Sequence, residues 1–172
     1  DTIPGVKGYW RYKASDRKRT VTVPYIADYY PTKSIKFPYA YILSVSDPEI
    51  ISVLNSHGIK IHQLGKNYKL IVERFEIDEL KGSSRLNQGH YTDKIKGKFI
   101  QEEKEFSKGT NVILTNQKLG SLCAALLEPQ AVDGLLYWNF FDRYLTPQWG
   151  SGYYPYPVYR ILDNMELNVM KK

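Results

Sequence analysis

The stretch Tyr39-Ala-Tyr-Ile-Leu-Ser-Val45 decides the fold, because it is a compact apolar strand followed at once by helix signals. The dipeptide Asp47-Pro48 supplies a capping side chain and a residue suited to the first turn of a helix. From Glu49 to His57 apolar residues recur at helical spacing, and Gly58 is the usual C-terminal stop. Ile59 to Leu64 alternates again. The sequence therefore predicts a strand, helix, strand unit.

Further strands are predicted on both sides of this unit. Tyr68 to Ile77 and Thr92 to Phe99 are rich in β-branched and aromatic residues, which favour extended structure. Thr20 to Ile26 alternates, although Pro24 makes it an edge or bulged strand. Val158 to Leu162 is a candidate for the last short strand. These segments indicate a sheet that is mainly antiparallel.

A second helix is predicted before Pro129, with Thr115 or Asn116 as its cap. Leucines recur three and four residues apart along it, at Leu119, Leu122 and Leu126. The fold class that follows is α+β, with a mainly antiparallel β-sheet or sandwich and two short helices packed on it.

Composition places the chain among ordinary globular domains. Its 172 residues are 42% hydrophobic and 24% charged, so one domain spanning 1–172 is the default expectation. No run of about 18 apolar residues predicts a membrane span. The net charge is +6, but Lys94, Lys96 and Lys98 alternate with other residues as on a solvated strand face. No nucleic-acid partner is therefore predicted.

Two kinds of side chain are candidates for catalysis, and each also has a structural interpretation. Cys123 lies among leucine and alanine, where a free cysteine is usually a small buried hydrophobe rather than a nucleophile. Glu128, Asp133 and Asp142 form a pool of carboxylates from which a glycosidase could draw an acid and a base. Glu128 and Asp133 also suit a helix end and a turn, which is the preferred interpretation of both.

Aromatic side chains in one loop form the candidate binding surface. The segment 149–157 is a loop by its glycine and proline content. Packing against another domain is the first interpretation, since tyrosine and tryptophan suit surfaces that are apolar on one side and wet on the other. Binding of a peptide or glycan is the second, and burial in the core is the third. The residues concerned are Trp149, Tyr153, Tyr154 and Tyr156.

The run from Leu126 to Leu145, which contains Leu-Glu-Pro, Asp-Gly-Leu and Trp-Asn-Phe-Phe-Asp, is too particular to follow from general fold chemistry. It resembles a segment near the C-terminus of large bacterial zinc metallocarboxypeptidases of the carboxypeptidase A type, downstream of their catalytic domain. Shorter stretches that resemble the same proteins occur in order along residues 20–145. They are Thr20 to Ile26, Pro38 to Ile42, Val53 to Ile59, Gln88 to His90 and Thr115 to Gly120.

The resemblance implies an accessory domain without its own active site. The family's zinc motif, His-x-x-Glu, is absent, because none of His57, His62 and His90 is followed three residues later by glutamate. No catalytic residue and no metal ligand is therefore predicted here, and zinc is expected only in an upstream peptidase domain of the same polypeptide. That domain is the expected partner, with residues 1–18 as a candidate linker or edge segment. The family also implies a periplasmic or extracellular location.

Overall fold

The computed structural model describes residues 2–3, 11–12, 16–31 and 34–171. The chain divides into two compact units, residues 1–34 and residues 35–172. Each unit is described by itself below.

The first unit contains a short β-ladder and an extended segment. Strand β1 (Thr2–Ile3) pairs antiparallel with β2 (Arg11–Tyr12). Residues 16–31 have no regular secondary structure, and their side chains are exposed. The strand predicted over Thr20 to Ile26 is therefore wrong. Among the described residues none pairs with it, and an alternating pattern forms a strand only where a partner strand accepts it.

The second unit is built on a seven-stranded sheet with two α-helices in its described part. The strands are β3 (Ala40–Leu43), β4 (His62–Leu64), β5 (Tyr68–Gly82), β6 (Asp93–Phe106), β7 (Asn111–Leu114), β8 (Val158–Ile161) and β9 (Val169–Lys171). The helices are α1 (Pro48–Ser56) and α2 (Gly120–Leu127), and Asp142–Tyr144 forms a short 3-10 helix. The predicted α+β class is confirmed.

The strand order is β6-β5-β8-β3-β7-β4-β9, and every neighbouring pair is antiparallel. Strands β3 and β4, which flank helix α1, are separated in the sheet by β7. The predicted strand, helix, strand unit thus exists, but its two strands contact each other only through β7.

The central strand β3 is buried on both faces of the sheet, because its side chains alternate between two cores. Tyr41 and Leu43 belong to the larger core, which also contains residues of both helices. Ala40 and Ile42 belong to the smaller core on the opposite face. The helices therefore cover one face of the sheet.

Helix α1 begins and ends as its sequence predicts. The Asp47 carboxylate accepts hydrogen bonds from the amides of Glu49 at 2.8 Å and Ile50 at 3.3 Å. Gly58 follows the helix with φ +79°, a conformation that glycine adopts without strain. Tyr144 donates a third hydrogen bond to Asp47 at 2.6 Å, and these contacts lower the pKa of the Asp47 carboxyl.

Helix α2 does not use the predicted caps. Its N-terminus is at Leu119, where no side chain accepts a hydrogen bond from the helix. The Thr115 hydroxyl instead donates to the carbonyls of Pro38 at 2.7 Å and Tyr39 at 2.9 Å. A Cβ on Gly120 would lie 2.0 Å from the Thr115 carbonyl oxygen, so only glycine permits this approach. Close backbone packing, rather than a cap, starts the helix.

Strands β5 and β6 form a long hairpin with a bulge between Ile77 and Glu79. On β6, Ile95 is buried and Lys94, Lys96 and Lys98 are exposed, which confirms the predicted solvated face. Lys96 pairs with Glu79 at 2.5 Å. Because β6 is the outermost strand, these charges also oppose pairing with a second sheet edge.

The run from Leu126 to Leu145 folds against helix α2 without regular secondary structure for most of its length. The Leu135 amide donates to the Leu126 carbonyl at 2.9 Å, and the short 3-10 helix follows. Its buried side chains join the larger core. They are Leu135, Leu136, Phe141 and Leu145. Phe141, which is fully buried there, is a packing residue.

Candidate functional site

The predicted aromatic surface is present in part. Trp149 is 85% exposed, Tyr154 is 53% exposed and Tyr153 is 39% exposed. The loop is held in place, because the Tyr154 amide donates to the Leu145 carbonyl at 2.8 Å and the Leu80 amide donates to the Tyr153 hydroxyl at 3.2 Å. A loop fixed at two points presents these rings at the surface.

Tyr156 does not belong to this surface. It is fully buried, and its hydroxyl donates to the Leu127 carbonyl at 3.0 Å. Burial also raises its pKa. Its ring lies 5.0 Å from that of Phe141 in an edge-on arrangement. The two-residue spacing from Val158, which is buried in the same core, is the signal that places Tyr156 inside.

A buried polar network, not predicted from the sequence, joins three strands to the end of helix α2. The Arg160 guanidinium pairs with Glu73 and, at 3.2 Å, with Glu128. Tyr41 donates its hydroxyl to Glu128 at 2.8 Å. Arg160 also lies over the ring of Phe99, at 3.3 Å from its centroid. Arg160 is the cation that connects Glu73 on β5 to Glu128 at the end of helix α2.

Glu128 ends helix α2 as its C-cap residue, which confirms the predicted helix-end position, and its carboxylate is not a free acid. Burial raises the pKa of its carboxyl, and the Arg160 charge opposes that increase. Tyr41, which donates to it, has a raised pKa because it is buried beside this carboxylate. The Glu128 oxygens accept hydrogen bonds from arginine and tyrosine, so this carboxylate stabilises the fold. It does not present an acid to solvent.

Asp142 makes a pair with another carboxylate, Asp93, rather than with Glu128. Its Oδ1 atom is buried and accepts no hydrogen bond from the described residues. Burial and the neighbouring Asp93 carboxylate together raise the pKa of Asp142 to about 6. Asp133, the third member of the predicted pool, is exposed in a turn with φ +60°. The structure does not bring the three predicted carboxylates into one cluster.

Beside this pair lies His90, in a tight turn that is exposed. Its Nδ1 is 3.2 Å from the Asn139 Oδ1, and its ring is 5.5 Å edge-on from Trp138. Asn139 adopts φ +69° and donates to the Tyr91 carbonyl at 3.0 Å. Such left-handed backbone at a residue other than glycine persists only where its surroundings hold it. Trp138 and Asn139 of the run thus fix the turn that carries His90.

The histidines and acids of the described ranges do not form a metal site. Across residues 16–31 and 34–171, no group of three or more histidine, cysteine, aspartate or glutamate side chains is arranged to hold a metal ion. His62 lies on β4 and His90 lies beyond β5, and three strands separate β4 from β5. Cys123 is buried, and burial raises the pKa of its thiol to about 11.

Substitution Asp142→Asn is expected to change the pH dependence of stability. The folded Asp142 keeps its proton up to about pH 6, whereas an unfolded aspartate loses it near its ordinary pKa of about 4. This contribution to stability is present below about pH 4 and is lost as pH rises through about 6. The asparagine variant, which cannot ionise, should gain on the order of 1 to 2 kcal/mol relative to the parent at pH 7.5.

Urea unfolding of both proteins at pH 4 and pH 7.5 measures this difference. Asp133→Asn is the matched control, because it removes a carboxylate from the same run at an exposed turn that asparagine tolerates. Its effect on the free energy of unfolding should be under about 0.5 kcal/mol at both pH values. Equal differences for Asp142→Asn at the two pH values would show that folding does not raise the pKa of the Asp142 carboxyl.

Comparison with known proteins relates this chain to proteins named as carboxypeptidases. It is 27% identical over 112 residues to Carboxypeptidase 2 of Trichophyton rubrum, covering 62% of this chain and 21% of that protein. It is 24% identical over 124 residues to Carboxypeptidase 2 of Trichophyton tonsurans and to that of Trichophyton equinum, covering 72% of this chain and 22% of each. The chain thus spans about a fifth of the length of these relatives.

These relatives are fungal, whereas the motifs of residues 20–145 resemble those of bacterial proteins. Their names support a relation to carboxypeptidases and say nothing of zinc. No family model matches the chain, and no solved structure matches it significantly. In the described part of the chain, no helix is both long and apolar enough to cross a membrane.

Proposed function

We propose that this chain is a non-catalytic accessory domain of a zinc carboxypeptidase-like protein and that it packs on the peptidase domain of the same polypeptide. The observation that carries the proposal is the extent of the similarity. It covers 62% to 72% of this chain but only 21% to 22% of each relative, so the relatives contain a large region with no counterpart here. Peptide hydrolysis, the zinc ion and an exported location belong to that larger protein.

Exposed aromatic side chains support a packing role. Trp149 and Tyr154 are presented by a fixed loop in the second unit. In the first unit, Tyr25 is 92% exposed, and Tyr29 and Tyr30 are similarly open. Large aromatic groups that are solvated in one domain often become the buried centre of an interface. Residues 1–18 would then link the two domains.

The double substitution Trp149→Ser with Tyr154→Ser should weaken binding to the separately expressed peptidase domain of the same polypeptide at least about tenfold. The reason is that buried aromatic side chains carry much of the free energy of protein interfaces. Isothermal titration calorimetry measures the dissociation constant. Val132→Ser is the control, since Val132 is exposed but lies outside the loop.

Two results would contradict the accessory role. The first is no binding between the two separately expressed domains, whereas unchanged binding of the double variant would exclude only the aromatic loop as the interface. The second is release of C-terminal residues from peptides by this chain alone. The coding sequence upstream gives a direct check, because the proposal requires a His-x-x-Glu with a distant histidine there.

A glycan-binding or cell-wall-binding module is the second candidate, because Trp149 and Tyr154 present flat ring faces to solvent. Retention on immobilised peptidoglycan, abolished by the same double substitution, would support it. A protein that binds the peptidase domain but not peptidoglycan has the accessory role alone.

A further inference from the structure

A groove of about 420 Å³ opens inside the sheet, between strands β5 and β8. The ladder between these strands contains one residue pair, Glu73 with Arg160. Toward the start of β5 the strands separate, and the groove is lined by consecutive residues of both, 69–73 and 160–163. Its volume is within the range of about 300 to 1,000 Å³ that is usual for ligand sites.

The backbone of β5 directs hydrogen-bonding groups toward this groove. The Tyr156 amide donates to the Phe75 carbonyl at 3.4 Å, so odd-numbered residues of β5 direct their amides and carbonyls toward β8. By this alternation Lys69 and Ile71 face the groove. The even-numbered residues of β5 bond β6 instead, across a ladder that continues to Tyr68.

The opposite wall of the groove is formed by β8 and the residues that follow it, and its backbone also faces the groove. The carbonyls of Pro157 and Ile161 accept hydrogen bonds from the residues that flank β3, Ser44 at 2.9 Å and Tyr39 at 2.7 Å, so the backbone of Leu162 faces β5. Among the described residues, no backbone hydrogen bond joins Ile71 to Leu162. Two strand edges therefore face each other across the groove, and each is a template for an added strand.

The charges of the groove differ between its two ends. At the closed end Arg160 is occupied by Glu73 and Glu128. Continuing the register of β8 with β5 and β3 places Lys69 and Lys36 at the same, open end. Both lysines have only exposed ion-pair partners, Glu103 and Asp163. The lining has three cations, Lys36, Lys69 and Arg160, against two carboxylates, Glu73 and Asp163, one net positive charge.

We propose that this groove binds an extended acidic peptide by strand addition. The peptide backbone would pair with Ile71 and Leu162, its acidic side chains would lie beside Lys36 and Lys69, and its apolar side chains would lie on the opposite face of the sheet, with Leu70 and Val72. The chain's net charge of +6 favours approach of an acidic partner. The site is separate from the aromatic loop and does not depend on the proposed accessory role.

The test uses a fluorescein-labelled peptide with the repeating sequence Glu-Val and a length of about seven residues, titrated by fluorescence anisotropy. Saturable binding is expected, together with slower hydrogen exchange at the Ile71 and Leu162 amides. The same peptide with alternate amides N-methylated should not bind, because it cannot complete the ladder. A Lys-Val peptide of the same length should bind more weakly than the acidic one.

Charge reversal at the lysines separates the groove from general attraction. Lys36→Glu with Lys69→Glu should weaken binding of the acidic peptide about tenfold. The control, Lys94→Glu with Lys118→Glu, makes the same change in net charge at exposed sites outside the groove and should have less than about a twofold effect. No binding at millimolar peptide, equal effects of both pairs, or equal binding of the N-methylated peptide would each overturn the proposal.

Discussion

Arg160→Met is expected to lower the free energy of unfolding by about 3 to 5 kcal/mol, because it leaves the Glu128 carboxylate buried without its cation. Methionine keeps much of the volume of the arginine side chain, so the loss comes mainly from charge rather than from a cavity. Arg160 also contributes its contact with the Phe99 ring, at 3.3 Å from the centroid. Urea unfolding at pH 7.5, followed by tyrosine and tryptophan fluorescence, measures the change.

A double variant tests this cause. Arg160→Met with Glu128→Gln removes both the cation and the charge it neutralises, so it should be more stable than Arg160→Met alone by at least about 1 kcal/mol. Lys98→Met is the matched control, since Lys98 is exposed and pairs with Glu76 at 3.7 Å. Its effect should be under about 0.5 kcal/mol. Additive losses in the double variant would show that Glu128 and Arg160 do not depend on each other.

Phe141→Ala should lower the free energy of unfolding by a similar amount, about 3 to 5 kcal/mol. Phe141 is fully buried and contacts Tyr156 edge-on, with ring centroids 5.0 Å apart. The cavity left by the ring is enclosed by helix α2 and the sheet, which limits collapse of the site. Thermal and urea unfolding both measure this loss.

Val132→Ala provides the control for this prediction, since it truncates an exposed side chain in the same run. Its expected effect is under about 0.5 kcal/mol. A loss below about 1 kcal/mol for Phe141→Ala would mean that the run does not contribute to the core. The sequence features that resemble carboxypeptidases would then need an explanation other than packing.

Local patterns predict the elements of this fold well. Helix α1 is set by Asp47, Pro48 and Gly58, all within its own segment, so its ends follow from the sequence. The Thr20 to Ile26 strand fails because alternation alone does not supply a partner. Helix α2 shows the same limit, since its start depends on the approach of Gly120 to the Thr115 backbone. Such contacts are decided by tertiary packing.

The sites are harder to predict, because their members are distant in the sequence. Arg160 and Glu128 are 32 positions apart, and Glu73 is a further 55 positions before Glu128. Asp142 is predicted as a candidate acid, but its partner Asp93 lies far earlier in the sequence, at the start of β6. The groove depends on where two strands stop pairing, which no local pattern encodes. Only the aromatic loop, contained within nine residues, could be found from the sequence.

Cys123, the single thiol of the chain, lies on helix α2 with no accessible surface and with its pKa raised to about 11. A thiol reagent needs both access and the thiolate, so it reacts only when α2 has left the sheet. The rate of labelling at this one atom therefore reports how often the larger core opens. Cys123 is therefore a natural probe of that opening, and no cysteine needs to be engineered into the protein.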